Sequence, residues 1–430
     1  MKLRRLLILS VLLLSPLLSL RAKAQDDVIE IEYWQYFFQA RVTAMDMLIE
    51  QFEAQNPDIR VIHNSDIAYD NFRTEIATAA AGGVGPDVVS LYYGWIPAFV
   101  DAGYLVPLPE PFTVDYVNEN FVPMVAQSAE FEGELWAVPT AVRALGLFYN
   151  KDLLAAAGYD GPPTTLDEFK EMAVAATVYD GDPSLDNIVT EGFAVEMTGQ
   201  AHQWLREVLV RQFGGVPYND DYTQVLWNSP EGCAAFAWLT DFETNLMTGT
   251  SEGIGGTADA NTAFVGGLAA LHIDGSFRLP AARGNPDLHF GVAELPVGPN
   301  GEHHNYGSYW THGITRRAAA DPARVEAATR FLQFITSAEA GTLWVNEVGE
   351  LPAQVSALSD PALLEDPEIG PFIAGLPYAH ATFFVDESQQ RQVLIDAFDL
   401  VRLSGVDPCA ALDEMAAVEQ DVLDGFWEDR

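Results

Sequence analysis

Lysine is almost missing from this chain: 430 residues contain four, at positions 2, 23, 151 and 170. Lysine and arginine together number 22 against 62 aspartates and glutamates, a formal charge of −40. So few cations cannot neutralise a run of phosphates, which excludes nucleic acid as a partner. Cysteine is scarce as well, with Cys233 and Cys409 alone, which excludes a disulfide-knit miniature and a cysteine-built metal cluster. Whether these two pair stays open, because sequence supplies no separation between them. Gly82-Gly83-Val84-Gly85-Pro86 is glycine-rich but lacks the Lys-Ser/Thr of a phosphate loop. There is no G-x-S-x-G elbow, and His303-His304 lacks the helical spacing of a zinc pair. No cofactor is expected, and beyond residue 24 no run is apolar enough to span a bilayer.

What is present describes a large globular protein. The composition is 49% hydrophobic and 11% aromatic, ample for a sizeable core in about two to three domains' worth of chain. Residues 1–24 read as a secretory signal. Lys2, Arg4 and Arg5 precede an apolar stretch from Leu6 to Leu20, and Ala22-Lys23-Ala24 is a small-x-small cleavage site. Gln25 follows it rather than the cysteine of a lipid anchor, so export to the periplasm or another extracytoplasmic space is expected. Cleavage removes five basic and no acidic groups, leaving 17 against 62, or −45. Such a field slows the approach of anionic solutes at low salt.

The organisation is that of an α/β chain. Val28 to Trp34 alternates as a strand, and Thr43 is a cap for a helix with Ala44, Met47, Leu48 and Phe52 on one face. Ile59–Ile62 is a second strand, Phe72, Ile76 and Ala80 mark a helix stopped by Gly82-Gly83, and Val88–Leu91 is a third strand. Strand, helix, strand, helix, strand at this pitch is a parallel α/β unit. The pattern restarts at the strand Leu145–Tyr149 and the capping box Thr165-Leu166-Asp167-Glu168. Leu268–Ile273 and His289–Val292 are further strands, Asp321-Pro322 opens another helix, and the chain is mainly helical from about 361. Two lobes fit this better than one oversized sheet.

Ligands of open α/β sheets sit beyond the carboxyl ends of the strands. The residues found there are aromatic: Trp34 and Tyr36 after the first strand, Tyr93 and Trp95 after the third, then Phe277 and Trp310. Rings with polar tips suit the C–H faces of a sugar, although any one of them also serves to cap a core.

Several blocks together resemble the family 1 extracellular solute-binding proteins of ABC importers. They are Gly85-Pro86-Asp87-Val88-Val89, Asp101-Ala102-Gly103-Tyr104-Leu105 and Glu134-Leu135-Trp136-Ala137-Val138-Pro139. Later come Leu147-Phe148-Tyr149-Asn150-Lys151-Asp152-Leu153, His272-Ile273-Asp274-Gly275-Ser276-Phe277 and Gly349-Glu350-Leu351-Pro352-Ala353. The resemblance implies a two-lobed periplasmic-binding-protein fold, each lobe a mostly parallel sheet flanked by helices, with a hinge between them. One lobe would hold residues 25–141 and 296–349, the other 142–295 and 350–430. The crossings near Pro139-Thr140-Ala141-Val142 and Glu350-Leu351-Pro352 are then hinge candidates.

The same resemblance implies a carbohydrate as ligand, ABC permease subunits in the membrane as partners, and a monomer. Arg143 falls where the family's maltodextrin binder hydrogen-bonds sugar through an acid, a charge reversal that puts maltodextrin itself in doubt. Trp204 and Phe277 fall at its stacking aromatics. The expected ligand set is Trp34, Tyr36, Tyr93, Trp95, Arg143, Trp204, Phe277 and Trp310. A salt bridge to one of the many acids is the competing role for Arg143.

Two other readings stand beside this one. Asp180, Asp182, Ser184 and Asp186, with Glu191, have calcium-loop spacing, but Leu185 occupies the glycine position and Pro183 stiffens the loop, which favours a solvated acidic turn. A polyamine binder would want acids in the cleft, and a secreted glycoside hydrolase would want two carboxylates about 5–10 Å apart. The aromatic loops favour a binder that is not an enzyme.

Overall fold

A computed structural model describes residues 28–195, 203–250, 253–257 and 259–428. The expected signal segment lies outside the described residues. The first α/β unit is as the periodicity predicts, with longer elements: β1 (Ile29–Tyr36), α1 (Gln39–Gln55), β2 (Ile59–Ile67), α2 (Tyr69–Ala81) and β3 (Val88–Tyr92). β1 pairs in parallel with β2 on one side and β3 on the other. Helix α1 corrects the sequence reading in one respect. It begins four residues before Thr43, with Phe38 at its N-cap and no side-chain cap. The buried stripe is Ala44, Met45, Leu48, Ile49 and Phe52, while Met47 is 38% exposed.

The strand predicted at Leu145–Tyr149 is the second half of a 14-residue strand, Ala137–Asn150. Its first half pairs antiparallel with the strand Asn305–Ile314, from Ala137↔Gly313 to Ala144↔Gly307. Its second half pairs antiparallel with Ala269–Gly275 and with Phe290–Ala293. Asn305–Ile314 also pairs antiparallel with β3, and Ala269–Gly275 pairs in parallel with Ile188–Ala194. The sheet is therefore antiparallel across its middle and parallel on either side of it, except for the antiparallel edge strand Val178–Tyr179, and one strand runs through its centre. Ala144 belongs to one hydrophobic cluster and Leu145 to another, so the change of core falls inside that strand. The short strand Leu351–Pro352 returns against Val142 and Ala141 at the same level. Both segments marked as crossings thus lie side by side.

The local signals elsewhere are realised. Thr165 Oγ1 accepts from the Glu168 N–H at 3.2 Å, and Asp321 caps Pro322–Ile335 by accepting from the Ala323 N–H. Glu168 reaches back to the Thr164 N–H at 2.8 Å. Gly349, with φ +81°, closes the helix Ala338–Val348 in the left-handed conformation. Cys233 and Cys409 are joined by a disulfide, with Cα atoms 5.0 Å apart. The bond ties the helix Pro230–Thr244 to the long C-terminal helix Pro408–Glu428.

The calcium spacing is not assembled into a site. Asp180, Asp182, Ser184 and Asp186 precede the strand Ile188–Ala194, whereas Glu191 lies within it. Strand alternation turns Glu191 inward, where its carboxyl accepts from the Thr250 N–H at 2.9 Å. No group of three or more His, Cys, Asp or Glu is placed to hold a metal among the described residues.

Candidate ligand-binding cleft

The aromatic residues after β1 and β3 converge on Trp310, which pairs with Tyr92 across two strands. The Tyr36 and Trp310 rings are 4.3 Å apart between centroids, at 41°. Trp95 meets Trp310 edge-on at 5.3 Å, and Tyr92 lies 6.0 Å from it. Tyr69, at the start of α2, packs edge-on against Tyr36 at 5.2 Å and remains 42% exposed. Quadrupoles favour these tilted and edge-to-face geometries over a sandwich. The outcome is a rigid aromatic floor with one open ring at its rim.

Charge is arranged beneath this floor. The Arg41 guanidinium lies 5.5 Å from the Tyr36 centroid and 5.3 Å from that of Trp310. Its Nη2 donates to Glu350 Oε1 at 2.5 Å, and Arg143 Nε donates to the same oxygen at 2.6 Å. Trp344 Nε1 donates to the other oxygen at 2.7 Å. All four side chains are buried. Burial alone would raise the Glu350 carboxyl; the Arg143 and Arg41 guanidiniums outweigh it and bring the group down to about 2. The Arg143 guanidinium also sits 4.5 Å over the Phe277 ring. Its plane is therefore set between a carboxylate on the returning crossing and a ring on the far half of the sheet.

Opposite Tyr69 lies the start of the helix Glu387–Ser404. Burial raises the Tyr69 hydroxyl, and the charge of Glu387 adds to the rise while Arg391 and Arg143 oppose it. Glu387 is itself buried and lies 3.5 Å from Arg391 Nε. Arg73 on α2 reaches across to Ser388 Oγ at 3.4 Å. Helix α2 and the helix Glu387–Ser404 thus touch here.

Of the eight predicted residues, the structure brings together Tyr36, Tyr93, Trp95, Trp310, Arg143 and Phe277. Tyr93 stacks on Tyr309 at 4.7 Å and 24°, behind Tyr92. Two lie elsewhere. Trp34 points to the other side of β1, where its Nε1 donates to Glu32 Oε1 at 2.8 Å. Trp204 is buried among Phe169, Phe193 and Trp238. Sequence reasoning missed Tyr69, Arg41, Glu350 and Glu387. Only Glu350 carried a signal, as part of a marked crossing; the other three look like ordinary residues of helix first turns.

Comparison with known proteins agrees with this architecture. Residues 47–371 match the family described as bacterial extracellular solute-binding protein. A maltotriose-binding protein of Pyrococcus abyssi is 26% identical over 360 residues, 82% of this chain and 72% of that relative. Among solved structures, an ABC substrate-binding protein of Listeria monocytogenes in complex with cycloalternan superposes with a TM-score of 0.77 at 22% identity, covering 94% of this chain and 100% of that one. Maltose-bound MalE3 of T. maritima gives 0.74 at 24% identity, covering 92% and 100%. These two similarities establish a shared fold, that of two-lobed binding proteins. With most of its length matched, the chain belongs to the bacterial extracellular solute-binding protein family.

Proposed function

We propose that this protein is the extracytoplasmic capture component of an ABC importer, taking a sugar or oligosaccharide into its cleft and handing it to permease subunits in the membrane. The reading is carried by the floor of Tyr36 and Trp310, 4.3 Å apart, beside a guanidinium fixed over Phe277. A pyranose offers apolar C–H faces to rings and vicinal hydroxyls to a planar donor. Tyr36, Tyr69, Arg143, Phe277 and Trp310 contact the ligand; Tyr93 and Trp95 back the floor; Trp34 and Trp204 belong to packing. The lobes divide as 25–141 with 296–349 and 142–295 with 350–430, and closure follows because a ligand touching both favours the shut state.

The rival readings lose support at Glu350. Two arginines already balance its charge, so it offers little to a polyamine. Held near 2, it is a poor proton donor for glycoside hydrolysis, which favours a binder over a hydrolase at this carboxylate. Export follows from the signal-like first 24 residues, and no described helix is long and apolar enough to cross a membrane. A monomer suffices, since the cleft is built within one chain.

Calorimetry and thermal shift against a panel of mono-, di- and trisaccharides, with putrescine and spermidine as controls, test this. Saturable binding of at least one saccharide without cleavage products is expected. A response to the polyamines alone, or recovery of hydrolysed sugar, overturns it.

A further inference from the structure

The aromatic floor stands at one end of two paired strands, and a separate cavity lies at their other end. β3 and Asn305–Ile314 run antiparallel from Tyr92↔Trp310 to Val88↔Ile314, four residues or about 13 Å along the sheet. There a cavity of ≈ 570 Å³ opens between the end of α2, the turn 83–86, the segment 102–105 and residues 315–320. Its volume falls within the ~300–1,000 Å³ of pockets that hold small molecules. Two sequence blocks with no part in the cleft, Gly82-Gly83-Val84-Gly85-Pro86 and Asp101-Ala102-Gly103-Tyr104-Leu105, supply much of its wall.

The lining is apolar except at one edge. Ile76, Val84, Val89, Phe99 and Leu105 give it aliphatic and aromatic surface, and Val84 is 61% exposed on the side open to solvent. Neighbouring polar groups are already engaged. Thr315 Oγ1 donates to the Pro86 carbonyl at 2.7 Å, and Arg317 Nη1 donates to Glu32 Oε2 at 2.9 Å and to the Gly85 carbonyl.

Arg316 differs from its neighbour. Its guanidinium packs where Gly103 has no side chain: a Cβ there would stand 2.6 Å from Nη2 and 3.1 Å from Cζ. Gly103 has φ +66°, so a larger residue meets both strain and a clash. The Arg316 N–H donates to the Tyr104 carbonyl at 2.9 Å, which anchors the base of the side chain. Every other arginine among the described residues has a carboxylate at ion-pairing distance, and Arg316 has none. In a chain with 62 acids against 22 bases, a guanidinium seated at an apolar cavity without a counter-charge is a ready partner for one anionic group.

We propose that this cavity binds an apolar monocarboxylate, its hydrocarbon body against Ile76, Val89 and Phe99 and its carboxylate on the Arg316 guanidinium. One charge is what the site can take. Arg317 is already held by Glu32 and Asp87, and the acidity of the whole chain repels polyanions. Affinity therefore comes from apolar burial and a single charge-assisted pair. The site is independent of the saccharide reading, since it lies at the opposite end of the strands that carry the floor.

Calorimetry of the whole protein with octanoate, and with octanol and citrate as controls, tests this on wild type, Arg316→Gln and Ala80→Phe. Wild type should bind octanoate saturably and give no heat with citrate. Arg316→Gln should weaken octanoate about ten-fold, the size of one charge-assisted pair, and leave any octanol binding unchanged. Ala80→Phe, which sets a ring into the cavity from the α2 wall, should weaken octanoate and octanol alike. Wild type silent to octanoate overturns the site. Equal octanoate affinity in all three proteins also overturns it, since the acid then binds elsewhere, and so does citrate binding as tightly as octanoate.

Discussion

Arg143 and Glu350, 207 residues apart in sequence, share a 2.6 Å charge-assisted hydrogen bond at the level where the chain crosses between the halves of its sheet. The bond joins the central strand to the returning strand Leu351–Pro352, which pairs with Val142 and Ala141 beside it. The same Glu350 oxygen accepts from Arg41, whose guanidinium lies against the Tyr36 and Trp310 rings, so the aromatic floor and the crossing segments share one network.

Replacing Glu350 by Gln leaves two buried guanidiniums without their counter-charge. Stability should fall by about 3–5 kcal/mol, the usual effect of breaking a buried pair from one side, read as a lower urea midpoint at an unchanged m-value. A midpoint within experimental error of wild type would remove the network from the account of stability.

Tyr69 is partly exposed and rests on Tyr36. Tyr69→Ala should therefore leave the melting temperature nearly unchanged while weakening saccharide binding by about 1 kcal/mol, roughly five-fold. Calorimetry of the pair separates ligand contact from packing.

His312 is buried between the Tyr33 hydroxyl (3.1 Å) and Thr140 Oγ1 (3.0 Å). Burial, with a smaller push from Arg41, lowers it to about 3. The folded group stays neutral where the unfolded one protonates. Its contribution is whole above the unfolded value near 6.5 and is lost progressively as pH falls towards about 3, amounting to about 2 kcal/mol by pH 5. His312→Gln should flatten the dependence of unfolding free energy on pH between 6.5 and 4, whatever it does to stability at pH 7.

Glu191 behaves in the opposite sense. Burial, with the charge of Glu243 adding to it, raises its carboxyl to about 8 against the Thr250 N–H. Stability is whole below the unfolded value near 4.5 and declines as pH rises towards about 8. Glu191→Gln should therefore be the more stable protein at pH 8, by roughly 4 kcal/mol, with the gain gone at pH 4.5. Added calcium should move neither protein's melting temperature.

The disulfide spans a sequence separation of 176 residues. Reducing it, or replacing both cysteines by serine, should cost about 5 kcal/mol on the chain-entropy account. Saccharide affinity should be unchanged at temperatures where the fold persists, since neither cysteine is near the floor.

Some of this was legible beforehand because its causes are local. The alternation of β1, the Phe72–Ile76 stripe of α2, the Thr165–Glu168 box and the Asp321 cap depend on neighbours within a few residues. The same holds for the aromatic endings of β1 and β3, because a strand's carboxyl end can be read from its period. Thr43 misled because a capping residue type also occurs inside helices; α1 begins at Gln39, with Phe38 at its N-cap in an extended conformation.

What required the tertiary structure was every relation between distant segments. Sequence by itself determined a two-lobed α/β chain with rings at its strand ends, a pattern carried by hydrophobic period and turn chemistry. That Arg41 and Arg143 meet on Glu350, that Glu191 faces inward and that Cys233 reaches Cys409 depend on strand register and helix placement. A one-residue slip in strand register would turn Arg143 or Glu191 to the opposite face, whereas Arg41, Cys233 and Cys409 depend on how their helices pack, and no local signal in the chain specifies either.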